Sequence, residues 1–328
     1  MASDFTDVRA TQVSDADLRN VVQMAAHIAR SIESVVEGKP EVVRLALIVL
    51  FAQGHLLLED VPGVGKTTLA KTLARTLDCS VRRIQFTPDL LPSDVTGVSI
   101  FNQLTHQFEF RPGAVFANIV LGDEINRASP KTQSALLECM EEQQVTVDGT
   151  TYHLASPFIV IATQNPIDME GTYPLPEAQR DRFMARLSMG YPDRAAEMAM
   201  LDGHAAHKPI DSITPVANAA EIASLIQAVN RVHVSAAIRQ YAVDISQATR
   251  QHRDIRLGAS PRATLHVIRA AKAAAALQAR DYVLPDDIQE LAAPVLAHRL
   301  ILTADAQIGG RTPASIIAEI LQRTPVSS

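Results

Sequence analysis

The sequence predicts an α/β fold followed by a smaller all-helical part, and three observations carry that expectation. Five β-rich apolar runs alternate with helical patterns up to Tyr191-Pro192; the β signal then vanishes; and Ala- and Leu-rich helical patterns occupy what remains. In order, residues 21–36 and 41–52 carry apolar side chains at helical spacing, 55–59 reads as a strand and 66–77 as a helix. Residues 81–86 form a β-rich run, 115–121 a buried run ending in a strand, and 158–163 and 185–189 two further strands. Strands separated by helical segments imply a five-stranded, mainly parallel sheet covered by helices on both faces. Beyond it, helices are expected over 193–201, 219–229, 235–251, 261–280 and 285–300, with a short one over 313–321. Ser260-Pro261 is a clear helix start, with Ser as N-cap and Pro at the first helical position.

The chain has 328 residues, which is long for one core and suggests two domains. A net charge of −6 argues against coating nucleic acid by bulk charge. No apolar run is long enough to span a bilayer, and residues 1–14 lack the basic-then-apolar layout of a signal peptide. Cys79 and Cys139 have no metal or redox spacing and read as buried thiols of a reducing compartment. His204 and His207 share a helical face without a Cys or carboxylate, so they read as a surface pair. The expected location is the cytoplasm.

The chemistry concentrates at a few places. Directly after the apolar Leu56-Leu57-Leu58 comes Asp60-Val61-Pro62-Gly63-Val64-Gly65-Lys66-Thr67-Thr68, and a helical pattern follows at once. Glycines there let backbone N–H groups converge on phosphate oxygens, and the helix presents its positive end to them. Lys66 is placed to reach the β- and γ-phosphates of ATP and Thr67 to complete a Mg²⁺ shell; Asp60 stands where the motif begins with Gly. Ile119-Val120-Leu121 runs through Gly122 into Asp123-Glu124, an acidic pair at the end of a central strand. Asp123 is expected to hold Mg²⁺ and Glu124 to polarise the attacking water; a solvated turn is the alternative. The next strand ends in Gln164-Asn165-Pro166, where Asn165 can contact the γ-phosphate or simply begin a turn. Arg182, before the last strand, can reach a neighbouring subunit's nucleotide or pair locally with Asp181. Arg262 lies in a helix's first turn, where a cation is unfavourable and implies a compensating ligand.

These residues resemble the AAA+ ATPases, and within them the MoxR family. The resemblance rests on Leu58 to Thr67, Leu90-Leu91-Pro92-Ser93-Asp94, Phe110-Arg111-Pro112-Gly113, Asp123-Glu124-Ile125-Asn126-Arg127, and Pro130-Lys131-Thr132-Gln133-Ser134. Met140-Glu141-Glu142, Pro174-Leu175-Pro176-Glu177-Ala178-Gln179 and Pro285-Asp286-Asp287 complete it, from about residue 36 to 321. It implies that Lys66 and Thr67 belong to Walker A, Asp123 and Glu124 to Walker B, Asn165 to sensor 1, Arg182 to the arginine finger and Arg262 to sensor 2. Three positions depart from the family's pattern: Asp60, Gly122 where Ala is usual, and Arg180 at a usual Leu, which leaves Arg180 as a second candidate finger. The implied division is a polar tail over 1–19, an AAA+ nucleotide-binding domain over 20–191 and a helical lid domain with C-terminal tail over 192–328.

Two inserts are also implied, a helix-2 insert at about 97–111 and a pre-sensor-1 hairpin at about 144–154, both facing or approaching a ring's pore. No Lys or Arg occurs over 143–155, and the first insert has only Arg111, so phosphate contacts on DNA are disfavoured. At least one of Ile100, Phe101 and Leu104 is expected to pack inward. The expected function is an ATP-hydrolysing ring protein, hexameric as the resemblance implies, that remodels or matures other proteins, with Arg262 linking nucleotide state to lid angle. The resemblance also implies a separate partner protein carrying a von Willebrand A domain with a metal-ion adhesion site, and metal insertion as one use. Alternatives are a magnesium-chelatase-like motor subunit, a nucleic-acid-dependent motor, and a non-hydrolysing nucleotide-gated scaffold.

Overall fold

The computed structural model describes residues 12–61, 63–165, 172–191 and 209–326, together with Arg194, Glu197 and Met198. Most of the expected helix over 193–201, the His204/His207 pair, Pro62 and most of the polar tail fall outside the described residues.

The chain opens with α1 (Asp15–Glu33) and α2 (Pro40–Phe51). α1 begins inside the expected tail because Ser14 caps it, accepting from the Asp17 amide at 3.1 Å, and Leu18 is already buried. Then come β1 (Leu56–Glu59), α3 (Lys66–Thr76), β2 (Leu77–Asp78) and β3 (Val81–Gln85). After α4 (Pro92–Thr96) the strands β4 (Gly97–Asn102) and β5 (Gln107–Pro112) pair as an antiparallel hairpin. β6 (Ile119–Asp123) leads to α5 (Pro130–Glu142), and β7 (Gln144–Val147) and β8 (Thr150–His153) form a second hairpin. β9 (Ile159–Gln164), α6 (Glu177–Arg180) and β10 (Ala185–Leu187) complete the α/β part.

The main sheet has the order β10-β1-β9-β6-β3, and every pairing in it is parallel. Period-2 alternation divides its side chains between two cores. Leu56, Leu58, Leu121 and Ile161 face α1, α2 and α3, whereas Leu57, Val120 and Val160 face α5 with Phe86 and Phe183. A parallel sheet buried on both faces needs apolar residues at successive positions, which is why these strands read as continuous runs.

The remainder is helical: α7 (Ala219–Asn230), α8 (Ala236–Gln251), α9 (Pro261–Leu277) and α10 (Pro285–Leu296), then a 3-10 turn over Ala297–Arg299, and α11 (Ala304–Ile308) and α12 (Pro313–Arg323). It is not wholly without strands. Ala217–Asn218 pairs in parallel with β2, and Ile255–Leu257 pairs antiparallel with Ile301–Leu302. Segments of two or three residues are too short to display a period-2 pattern. The expectation for the first insert also needs correction: Ile100, Phe101 and Leu104 are all exposed, Leu104 at 93%. Phe101 instead meets Phe108 edge-on across the hairpin, and Phe110 stacks on Tyr152 of the second hairpin.

Candidate functional site

β1 delivers the chain to Asp60 at the carboxyl end of the sheet, and α3 carries it away from Lys66. Between them Gly63 and Gly65 have φ of +87° and +92°, left-handed values that a side chain would strain. The Lys66 ammonium donates to the carbonyls of Asp60 and, at 3.0 Å, Gln164, which anchors it between β1 and β9. Burial pulls its pKa down, while the carboxylates of Asp60 and Glu124 oppose that. Asp60 proves to be a staple. Its carboxylate accepts from the Val61 amide at 2.8 Å, the Ser188 hydroxyl at 2.8 Å and the Gly190 amide at 2.6 Å, joining the loop to the end of β10. Burial alone would raise this carboxyl's pKa, but the donors from Gly190, Ser188 and Val61 outweigh it and hold it below the ordinary value.

β6 brings Asp123 and Glu124 to the same end of the sheet. Asp123 is buried; it accepts from the Thr67 hydroxyl at 3.1 Å and the Thr163 hydroxyl at 3.4 Å, and pairs with Arg83 at 2.6 Å. Glu124 is left-handed, with φ of +57°, at a cost of about 1 kcal/mol for a residue with a Cβ. Its amide donates to Thr163 at 3.0 Å; its carboxylate accepts from Gln85 at 3.2 Å and Arg127 at 2.8 Å. Asn165 follows β9 directly, and its carbonyl accepts from Asn126 at 3.3 Å. Lys66, Thr67, Asp123, Glu124 and Asn165 therefore converge, as the motifs predict.

Arg182 and Arg262 lie elsewhere. Both pair with Glu141 near the carboxyl end of α5, Arg182 at 3.1 Å, and Arg262 also reaches Asp181 at 3.4 Å. They line a cleft of about 290 Å³ with Gln53, Gly54 and His55, the residues that lead into β1. This is the amino end of the sheet, whereas Lys66 follows the carboxyl end. Within one subunit Arg262 therefore faces away from that subunit's own phosphate loop. The ligand that compensates a cation in the first turn of α9 is a pair of carboxylates. Arg182 does not pair with its neighbour Asp181, and it shares the cleft with Arg262, whereas Arg180 is not among the cleft's lining residues.

A family model described as ATPase family associated with various cellular activities matches residues 55–185, and an AAA lid domain model matches 247–320. The chain is 41% identical to Chaperone MoxR1 of Mycobacterium tuberculosis, over 89% of this chain and 79% of that protein. It belongs to the MoxR family of AAA+ ATPases. It is also 52% identical to the uncharacterised protein YeaC of Bacillus subtilis, over 90% of this chain and 92% of that one. A solved structure of an ATPase candidate from Cytophaga hutchinsonii superposes with a TM-score of 0.88 at 39% identity, covering 95% of this chain and 98% of its own.

As a MoxR-family member the chain is an ATPase, and its carboxyl-end residues fit the substrate. The Lys66 ammonium is held by carbonyl oxygens and, among the described residues, makes no ion pair, so its charge is available to phosphate. Thr67 Oγ1 and Asp123 Oδ1 are hard oxygen donors side by side, and the Arg83 guanidinium on Asp123 marks the spot as one that favours a cation. Sequence reading missed Arg83, Gln85 and Thr163, and it quoted Arg127 without giving it a role. The signal for Gln85 was weak but present: it is a polar residue ending β3, in register with Asp123 on β6. Asp60's contacts with Ser188 and Gly190 had no local signal at all.

Proposed function

We propose that this chain is the motor subunit of a ring-shaped assembly, in which ATP hydrolysis drives chaperone-like remodelling or maturation of partner proteins. One observation carries the reading. The base and phosphate loop lie at one end of the sheet and Arg182 and Arg262 at the other, so each subunit holds parts of two sites. A head-to-tail neighbour is needed to bring the halves together, and a closed hexamer is the ring inferred.

ATP binds with its β- and γ-phosphates against the loop amides and Lys66. Thr67 and Asp123 would hold Mg²⁺, which supplies charge neutralisation on the phosphate oxygens when bound. Glu124 takes the proton from water as its oxygen attacks the γ-phosphorus and the bond to ADP breaks. Gln85 and Arg127 both donate to one oxygen of that carboxylate, which restrains its approach to the water, and its other oxygen is the proton acceptor. Asn165 is placed beside the attacking water, and the neighbour's Arg182 and Arg262 stabilise charge on the transferring group. The nucleotide-binding unit is inferred to span 20–191 and the lid 192–328.

The relative named Chaperone MoxR1 supports protein remodelling as the output. Both hairpins agree with it: the first presents exposed Phe101, Leu104 and Phe108, and neither turn carries a cation for nucleic acid. A separate protein with a von Willebrand A domain is inferred as the adaptor, and metal insertion into a client as one outcome. Among the described residues no helix is long and apolar enough to cross a membrane, and action in the cytoplasm is part of the proposal.

The test is steady-state ATPase activity against protein concentration, with sedimentation of the same samples with and without ATP. Activity per subunit should climb with assembly. A constant rate from a monomer would remove the shared-site ring.

A further inference from the structure

The segment that carries Arg182 is gripped by the lid. Asp181, the residue before it, accepts from the Ser260 hydroxyl at 2.8 and 2.9 Å on its two oxygens. Arg262 reaches it at 3.4 Å and Arg299 at 3.2 Å. Arg299 also donates to the carbonyls of Asp181 at 3.1 Å and Phe183 at 2.5 Å, so it brackets Arg182 on both sides. The imidazole of His298 meets the Phe183 carbonyl at 3.2 Å. Arg299 is itself fixed by His266 of α9 at 2.6 Å, and its side chain is only 2% exposed, against 28% for Arg182. Every one of these donors belongs to the helical lid. The backbone on both sides of Arg182 is thus tied to the lid, while its side chain stays partly accessible.

We propose that Asp181 is a positioning residue for Arg182, through which the lid of each subunit sets the arginine presented to its neighbour's ATP. This deepens the reading that Arg182 acts in trans and rests on it. A buried arginine with two carbonyl acceptors and one carboxylate holds a defined geometry, because guanidinium donors are fixed in a plane. Any rotation of the lid against the sheet must carry residues 181–183 along with it or break those bonds. Lid position in one subunit then governs turnover in the next, without either nucleotide touching Asp181.

The experiment compares Asp181→Asn with wild type in ATP turnover, then mixes it with Lys66→Ala. Asp181→Asn should lose at least tenfold in kcat with KM for ATP unchanged within twofold, because its own phosphate loop is intact. Adding Lys66→Ala subunits, which lack a working loop but carry a correctly set arginine, should restore turnover severalfold. Arg182→Ala mixed with Lys66→Ala is the control, with co-sedimentation confirming mixed rings. Recovery in the control but none with Asp181→Asn overturns the positioning role, and so does wild-type kcat for Asp181→Asn. No recovery in either pair overturns catalysis in trans and the proposal with it. If Asp181→Asn does not fold, Asp181→Glu keeps the charge while lengthening the arm, and the same kcat loss and the same recovery are expected of it.

Discussion

His55, the residue before β1, makes acid stability a quantitative test of the packing between sheet and α5. Its Nδ1 accepts from the Val160 amide at 3.0 Å, so the ring's proton sits on Nε2 and is donated to the Met140 carbonyl at 3.0 Å. Both nitrogens are satisfied only while the ring is neutral. A proton on Nδ1 would face the Val160 N–H, and burial leaves no water to take that bond's place. Burial is the main cause that lowers this imidazole from 6.5 to about 4, with the Met140 carbonyl opposing and Arg269 adding to the depression. The sign follows from linkage: below 6.5 the unfolded chain takes up a proton that the folded chain refuses, so stability falls with pH until the folded value is reached. Between 6.5 and about 4, that one ring amounts to about 2 kcal/mol lost by pH 5 and about 3 kcal/mol by pH 4. The assay is urea unfolding of wild type and His55→Gln at pH 7.5 and pH 5. Gln can reproduce both hydrogen bonds but does not titrate, so the variant should gain about 2 kcal/mol relative to wild type on acidification. A difference that stays constant across that range would refute the neutral bridging imidazole. His266 and His298 titrate in both proteins and largely cancel in the comparison.

Restoring the motif's usual glycine should be harmful here. Asp60→Gly removes the acceptor of Val61, Ser188 and Gly190 and adds backbone freedom, so thermal unfolding should drop by roughly 5 °C or more, from a loss of about 2–3 kcal/mol. The loss should persist from neutral pH down and shrink only as pH falls below 3.8, since this carboxyl's pKa is depressed. An unchanged melting temperature at pH 7 would show that the staple contributes nothing. Glu124→Gln should bind ATP yet turn it over at least about 100-fold more slowly, measured by nucleotide binding and phosphate release; wild-type turnover would exclude Glu124 as the base. Gln85→Ala should raise turnover severalfold by freeing one restraint on Glu124, and an unchanged or lower rate in a folded variant would assign Gln85 a different role.

Local chemistry was legible, and long-range pairing was not. The phosphate loop and the Asp123-Glu124 pair are contiguous in sequence and lie at strand ends, so their convergence follows from a parallel sheet. The second hairpin was equally legible, because Asp148-Gly149 sits between alternating residues and both residues take positive φ. Glu141 carries no such mark: nothing local to residue 141 announces that residues 182 and 262 end on its carboxylate. The same holds for Asp60, which sequence reading could register only as a departure. Leu104 misled in the opposite way. Apolar character argues for burial, yet a two-stranded hairpin clear of the main sheet has no second layer to cover its turn.

The pairings inside the chain also bear on why, in the proposed ring, one subunit's chemistry would require a partner. Asp123 is neutralised by Arg83, Glu124 by Arg127, and Arg182 and Arg262 by Glu141. A triphosphate with its cation offers each of these groups a stronger counter-charge, but it can exchange only the pairs at the end of the sheet where it binds. In the proposed ring the pairs on Glu141 would answer to a different nucleotide. α5 joins the two ends, starting just after Arg127 and finishing one residue past Glu141, a span of about 20 Å for its 13 residues. A helix packed on the sheet through Leu136, Leu137 and Met140 moves as a unit. In the proposed ring, release of Glu124 at one end and of the arginines at the other would then be coupled through α5, the helix that follows Glu124 and ends beside Glu141.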